Sequence, residues 1–392
     1  MKKLTFFLTL NVIFVLFSCG TNELLKVDTK LAKKQYNKES DSLNKDLTNN
    51  ESFYLTYAKV TDYLPKNYSV LGDIDYTNYI QKALNEERNL IFPNFPLLVN
   101  DKGIAVKSNS IVIFPEGSKL ILSPSDKVWY TILALNNVEN VKLYGPIIEG
   151  DKYRRLKPNI TEGEWGMGIW MASARNIEIY APKVEKCWGD GIYIGKGDIN
   201  KPNNKILITD PYINDNRRNG ISIVSGKNVT INNAIISNTN GKSPEAGIDI
   251  EPNGNDDVIE NITINNPHTI NNAYLGIVVS LGSMVGEKAK NVSVEIRNHK
   301  DEYSYHGFVL ASIRREVNKN DKKLQGYINI VEPVWKFNKV PYALGLTRGL
   351  FPSLKIDKPI IFTVEDTVNA NQKLINRLST FEFDGNLEIT KN

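Results

Sequence analysis

The sequence predicts an all-β solenoid, a chain wound into coils whose short strands stack as parallel sheets. Three observations carry that expectation. First, six near-identical segments recur: Gly168-Ile169-Trp170-Met171, Gly191-Ile192-Tyr193-Ile194, Gly220-Ile221-Ser222-Ile223, Gly247-Ile248-Asp249-Ile250, Gly276-Ile277-Val278-Val279 and Gly307-Phe308-Val309-Leu310. Their glycines lie 23, 29, 27, 29 and 31 residues apart, and a fixed-period repeat of short strands is one supersecondary unit stacked on itself. Second, another series of strands runs between them: Val141-Lys142-Leu143, Ile177-Glu178-Ile179, Ile206-Leu207-Ile208, Val229-Thr230-Ile231, Ile262-Thr263-Ile264 and Val292-Ser293-Val294. Third, a coil of this length fits three short strands and three turns. It leaves no room for a crossover helix in each repeat, which excludes an α/β barrel or a doubly wound sheet. Leucine-rich repeats share the period, but their Leu-x-x-Leu-x-Leu pattern is absent.

The elements follow in order. Lys2 and Lys3 precede a nearly all-apolar run from Leu4 to Phe17, with Ser18 and Cys19 behind it. That is a secretion signal, too short for a comfortable membrane span. Leu16-Phe17-Ser18-Cys19 resembles a bacterial lipoprotein processing site. The resemblance implies cleavage before Cys19, lipidation of its thiol and anchoring of an exported chain to the cell envelope, at the outer membrane. Cys187 then remains as the one cysteine, so no intrachain disulfide is expected and Cys187 reads as a buried apolar filler. Residues 19–60, rich in Lys, Asn, Asp, Ser and Thr, read as a tether behind the 1–18 signal peptide.

Asp75 to Glu87 reads as a helix with Tyr79, Ile80, Ala83 and Leu84 on its apolar face, followed by the strand Asn89–Pro93. Ile111–Pro115 and Lys119–Leu122 read as the next strands. The second strand series is mostly entered through asparagine: Asn140, Asn176, Asn228, Asn261 and Asn291. Asparagine tolerates the left-handed conformation and suits a tight corner. A short helix over an open first coil, followed by coils such as Asn228-Val229-Thr230-Ile231 and Asn232-Asn233, resembles the right-handed parallel β-helices of the pectin-lyase-like superfamily. The resemblance covers roughly residues 70–345. The β-helix with its N-terminal cap is placed at 61–345, and a C-terminal coil and cap at 346–392, where Glu365 to Ser379 reads as a helix and Phe381–Phe383 as a strand.

Alternation along a strand sends neighbours to opposite faces. Ile248 and Ile250 belong inside, so Asp249 and Glu251 project from one outer face, about 7 Å apart along the strand. The same column holds Trp170, Tyr193, Ser222, Val278 and Val309. The turns before these strands add Trp165, Trp188, Asp190, Arg217, Arg218, Tyr274 and His306 to one edge. Aromatic faces and charged donors bind sugars, so Trp165, Trp170, Trp188, Tyr193, Tyr274 and His306 are candidate platforms and contacts, and Arg217 or Arg218 a clamp for a uronic carboxylate. Carboxylates about 5 to 9 Å apart hydrolyse glycosidic bonds. Asp249 and Glu251 are therefore the candidate acid and base or nucleophile, with Asp190 a third acid. The bland alternatives are solvated surface carboxylates and arginines that merely brace the stack.

The resemblance does not decide the chemistry. Polygalacturonase-type hydrolases carry a paired Asp-Asp strand and a Gly-His-Gly turn, both absent, and Gly189-Asp190-Gly191 is similar to the first only loosely. The Asp-Pro-His motif of mannuronan epimerases is also absent. Pectate-lyase-like enzymes use an Arg or Lys base beside a cation, a role open to Arg217 or Arg218. No cofactor is firmly expected. Calcium held by Asp249, Glu251 and Asp190 is an alternative, since oxygen ligands suit it. The net charge of +4 is too near neutral to point to nucleic acid. The expected partner is a polysaccharide, met by a monomer that either cleaves it by hydrolysis or β-elimination or binds it as a lipid-anchored adhesive protein.

Overall fold

In the computed structural model, residues 56–157, 162–198, 201–313, 315–362 and 387–390, together with Lys33, are described. They wind into a parallel β-helix of three sheets, with 12, 9 and 10 strands. The glycine series lies in the nine-stranded sheet, from Ile104–Ala105 to Val340–Leu344, and the asparagine-entered series in the twelve-stranded one. The third sheet is made largely of three-residue strands such as Ile147–Glu149, Lys183–Glu185 and Tyr212–Asn214. Coil length implied this sheet without locating it.

Register follows the columns. Ile169, Ile192, Ile221, Ile248, Ile277 and Phe308 pair in succession, all pointing into the coil and almost fully buried. Each such side chain contributes about 1.5–3 kcal/mol, and stacking makes the interior one continuous core. The glycines that open these strands are there for close approach. A Cβ at Gly168, Gly191, Gly220, Gly247 or Gly276 would sit 2.5 to 2.8 Å from the carbonyl oxygen of the next glycine in the stack.

The asparagine corners are also as expected. Asn140, Asn176, Asn228 and Asn261 have φ between 53° and 56°. Their side chains form a ladder in which Asn176 Nδ2 donates to Asn140 Oδ1 at 2.8 Å and Asn261 Nδ2 to Asn228 Oδ1 at 2.7 Å. Asn291 departs from the ladder. A register shift between Ile259 and Ile262 brings Ser293 opposite Asn261, whose backbone N–H donates to Ser293 Oγ at 2.6 Å.

The body begins differently from the sequence reading. Ala58–Lys59 pairs with Leu90–Ile91, so the residues just before 61 belong to the fold and not to a tether. The helix is Thr77–Glu86; it buries Ile80, Ala83 and Leu84, while Tyr79 turns outward against Tyr76. At the other end the C-terminal coil placed at 346–392 continues the stack itself. Ser353–Asp357, Ile360–Phe362 and Leu387–Thr390 continue two of the sheets. The signal, Cys19, most of the tether, the helix expected at Glu365–Ser379 and the strand at Phe381–Phe383 lie outside the described residues.

One polar network is enclosed by the coil. Trp335 Nε1 donates to His299 Nδ1 at 3.2 Å, so the imidazole proton sits on Nε2, facing Thr269 Oγ1 at 2.7 Å. Thr269 Oγ1 donates in turn to Asp301 Oδ2 at 2.5 Å, and Ser304 Oγ donates to the same oxygen at 2.8 Å. All of these groups are buried. Burial pushes the Asp301 carboxyl up to about 7 against these donors, and pulls His299 down to about 3.

Candidate active site

The outward column stacks in the expected order. Trp170 pairs with Tyr193, Tyr193 with Ser222, Ser222 with Asp249, Asp249 with Val278 and Val278 with Val309. At its middle, one guanidinium gathers four carboxylates. Arg218 Nη1 lies 3.1 Å from Asp190 Oδ2, Nε 3.3 Å from Glu164 Oε2 and Nη2 3.6 Å from Glu251 Oε2, with the Asp249 carboxyl the fourth beside it. Asp190 and Asp249 are buried, whereas Glu164 and Glu251 reach solvent.

A hydrogen-bond chain ties the two buried acids together. Asn219 Nδ2 donates to Asp249 Oδ2 and to Ser222 Oγ, both at 3.0 Å, and Ser222 Oγ donates to Asp190 Oδ2 at 2.7 Å. Asp249 is 1% exposed, so its neutral form is favoured. Burial, then the Glu251 charge, holds its carboxyl well above the usual range, with Arg218 opposing. Asp190 is raised by burial and pulled back by Arg218 and Ser222.

Asp249 Oδ1 is buried without a hydrogen-bond donor, and the Glu251 carboxylate is among the charges that act on it. Arg218 pairs with Glu251 at 3.6 Å. The Glu251 side chain is 41% exposed and is the member of the pair that meets solvent.

Two pockets open on this sheet. One, of about 490 Å³, is lined by Arg218, Asp249, Glu251, Tyr274 and His306, with Val278, Val309 and Leu344 among its apolar walls. The other, of about 430 Å³, is lined by Trp129, Trp165, Met167, Trp170, Tyr193, Lys196 and Asn253. The first lies toward the C-terminal coils and the second toward the N-terminal ones, with Ser222 between them in the column. Trp129 pairs with Trp165 in register, both are exposed, and Trp129 meets the Trp170 ring edge-on at 5.2 Å.

Two expected site residues are placed elsewhere. Trp188 is only 6% exposed and offers no face to a sugar. It is clamped between two guanidiniums, Arg217 at 3.8 Å and Arg155 at 4.6 Å from the ring centroid. Arg217 is buried on that ring and donates from Nη1 to Gly163 O at 2.8 Å and Trp188 O at 3.3 Å, so it braces the segment leading to Trp165. Arg155 also bonds the buried Asp151, whose other oxygen accepts from Tyr130 Oη. Arg218 is no proton acceptor, because against its burial the Asp190, Glu164 and Glu251 carboxylates raise its pKa still further. It also fills the centre that a calcium ion held by Asp249, Glu251 and Asp190 would need, and no grouping of His, Cys, Asp and Glu among the described residues has metal-ligating geometry.

Tyr274 and His306 meet edge-on at 5.2 Å and line the pocket beside the acids. Burial lowers His306 to about 4, so it is neutral near pH 7. Cys187 is buried and free, behind the site. Sequence reasoning missed Glu164, Trp129 and Lys196. Trp129 was within reach of a register argument, since it stands in the Trp165 column one coil earlier.

Residues 97–255 and 135–295 match the family described as right-handed β-helix region. A curated relative, the uncharacterized protein YclG of Bacillus subtilis (strain 168), is 28% identical over 185 residues, 43% of this chain and 32% of that protein. The chain thus spans about a third of the length of the curated relatives it matches. Among solved structures, endo-xylogalacturonan hydrolase from Aspergillus tubingensis superposes with a TM-score of 0.54 at 11% identity, over 82% of this chain and 88% of that one. PfbA, a surface adhesin of Streptococcus pneumoniae, superposes with a TM-score of 0.51 at 12% identity, over 79% and 89%. At such identities the likeness is one of fold.

Proposed function

The chain belongs to the right-handed β-helix family, and from that premise we propose that it is a glycoside hydrolase acting on an extracellular polysaccharide. The observation that carries this reading is the Asp249–Glu251 pair, one carboxyl buried, the other open to a pocket and paired with a guanidinium. Fold does not settle function, so the argument rests on the site.

In this reading a glycan lies along the nine-stranded sheet, across the coils. Trp129, Trp165 and Trp170 give it apolar faces to stack on, and the scissile bond rests over Asp249 and Glu251. Asp249 gives its proton to the glycosidic oxygen as the C–O bond breaks. Glu251, ionised, either adds to the anomeric carbon or takes a proton from the attacking water. Arg218 holds Glu251 in place, and Asn219 orients Asp249. β-Elimination is less well served, because neither arginine is available as a base.

The test is incubation of the purified protein with a polysaccharide panel, following reducing ends together with absorbance of unsaturated uronates. Reducing ends without absorbance support hydrolysis, and a rise in both would replace it by elimination. Wild-type binding to a glycan with no product from any member of the panel would instead favour the adhesive reading. Export and anchoring through Cys19 belong to the same proposal, and labelling with a radioactive fatty acid, lost in Cys19→Ser, would test them.

A further inference from the structure

The outward column changes character at Asp249. Before it stand Trp170, Tyr193 and Ser222; after it stand Val278, Val309 and Ala343. Outward positions on a solvated sheet face are usually polar. Here Ala246, Leu275 and Val278 form an apolar cluster separate from the core, with Tyr274, Val309 and Ala311 packed against it. Leu275, Val278, Tyr274, Val309 and Ala311 of this cluster wall the same 490 Å³ pocket that holds Asp249 and Glu251.

The pocket offers no cation to an acidic sugar. Among the described residues that line it, Arg218 is engaged by carboxylates and His306 is neutral. The aromatic pocket, by contrast, carries Lys196, 3.6 Å from Asp257 and 40% exposed in its side chain. Small apolar side chains leave a volume within the range of small-ligand sites, and Ser243, Ser280 and Ser312 stand in the same lining.

Resting on the hydrolase reading, we propose that the C-terminal pocket is a specificity subsite for a sugar bearing an O-acetyl substituent, and that any acidic residue of the glycan lies in the aromatic pocket. The acyl methyl packs on Val278, Val309 and Leu344. The ring it decorates adjoins the bond over Asp249 and Glu251. The occupant is argued from continuity with the acid pair: what fills this pocket is covalently attached to what is cleaved.

The experiment uses matched pairs of glycans, O-acetylated xylan, low-methoxyl acetylated pectin and acetylated glucomannan, each beside its alkali-deacetylated form. Binding is measured by affinity electrophoresis and turnover by reducing ends. Burial of one methyl group predicts a preference of about 5-fold or more for the acetylated member of at least one pair. Val309→Asp should abolish that preference, while Trp165→Ala should weaken both members alike. Equal handling of every bound pair by the wild type, or equal weakening of both members by Val309→Asp, would overturn the subsite and leave the hydrolase reading standing. No interaction with any glycan would remove the glycan reading, and the subsite with it.

Discussion

Arg218 Nη1 lies 3.1 Å from Asp190 Oδ2, and Asp190 is wholly buried. The remaining partners of Asp190 are the Asn219 backbone N–H and Ser222 Oγ. Removing the guanidinium strands a charge that water cannot reach. Arg218→Gln should cost about 3–5 kcal/mol at pH 7. The variant's Asp190 pKa would lie above its unfolded value, so its deficit should shrink as the pH falls through that raised pKa. Urea unfolding of both proteins at pH 7 and pH 5 measures this. A deficit independent of pH would show that Asp190 is not the stranded group.

Asp249→Asn and Glu251→Gln should each lower turnover by about 10²–10⁴-fold. An acid catalyst works protonated, so wild-type turnover should fall as pH rises through the raised Asp249 pKa. Residual activity of Asp249→Asn should lack that alkaline limb. A pH–rate profile with an unchanged limb in the variant assigns the acid to another residue.

Trp165→Ala should raise KM about 10-fold and leave kcat nearly unchanged, because an exposed stacking face holds ground state and transition state alike. A fall in kcat alone would place Trp165 in the chemistry instead.

Trp188→Ala should destabilise the fold by about 3–5 kcal/mol, the range for deleting a buried Trp. Two guanidiniums would lose the ring that both stack on. Loss should be visible first at the Trp165 segment, as faster amide exchange at Gly189, whose N–H donates to Gly166 O at 2.8 Å.

Asp301 has its pKa raised to about 7 in the fold. A raised carboxyl contributes stability that is fully present below the unfolded pKa and is lost as pH rises through the folded one. Unfolding free energy should therefore decline between about pH 4 and pH 7, and Asp301→Asn should flatten that decline. Melting curves of wild type and variant over this range are the check.

The columns were legible because register is fixed by period alone: one glycine per coil and two-residue alternation place Ser222 beside Asp249 without any tertiary information. The corners were legible because Asn140 and Asn176 need φ above zero. Burial was not legible. Trp188 looks like a platform in a list of aromatics, and it is covered by Arg155, which arrives from the turn of the preceding coil. The Asn291 slip was hidden because a bulge at Ile259–Ile262 changes register without changing composition. The depth of Asp249 depends on where Arg218 and Asn219 lay their side chains, which no spacing encodes.

The glycine-to-carbonyl contacts between successive coils have an architectural consequence. They set the pitch of the stack, so the groove can be lengthened or trimmed only by whole coils. A single residue inserted within Ala246–Ile250 would turn Asp249 inward and present an isoleucine to the pocket. The same insertion in the preceding turn is absorbed, as the unequal spans of 23 to 31 residues between glycines already show. Duplicating one coil between Ser222 and Asp249 would move the aromatic pocket one rung away from the acids. The protein is in this sense a ruler, and the distance from the aromatic pocket to the acid pair is counted in its rungs.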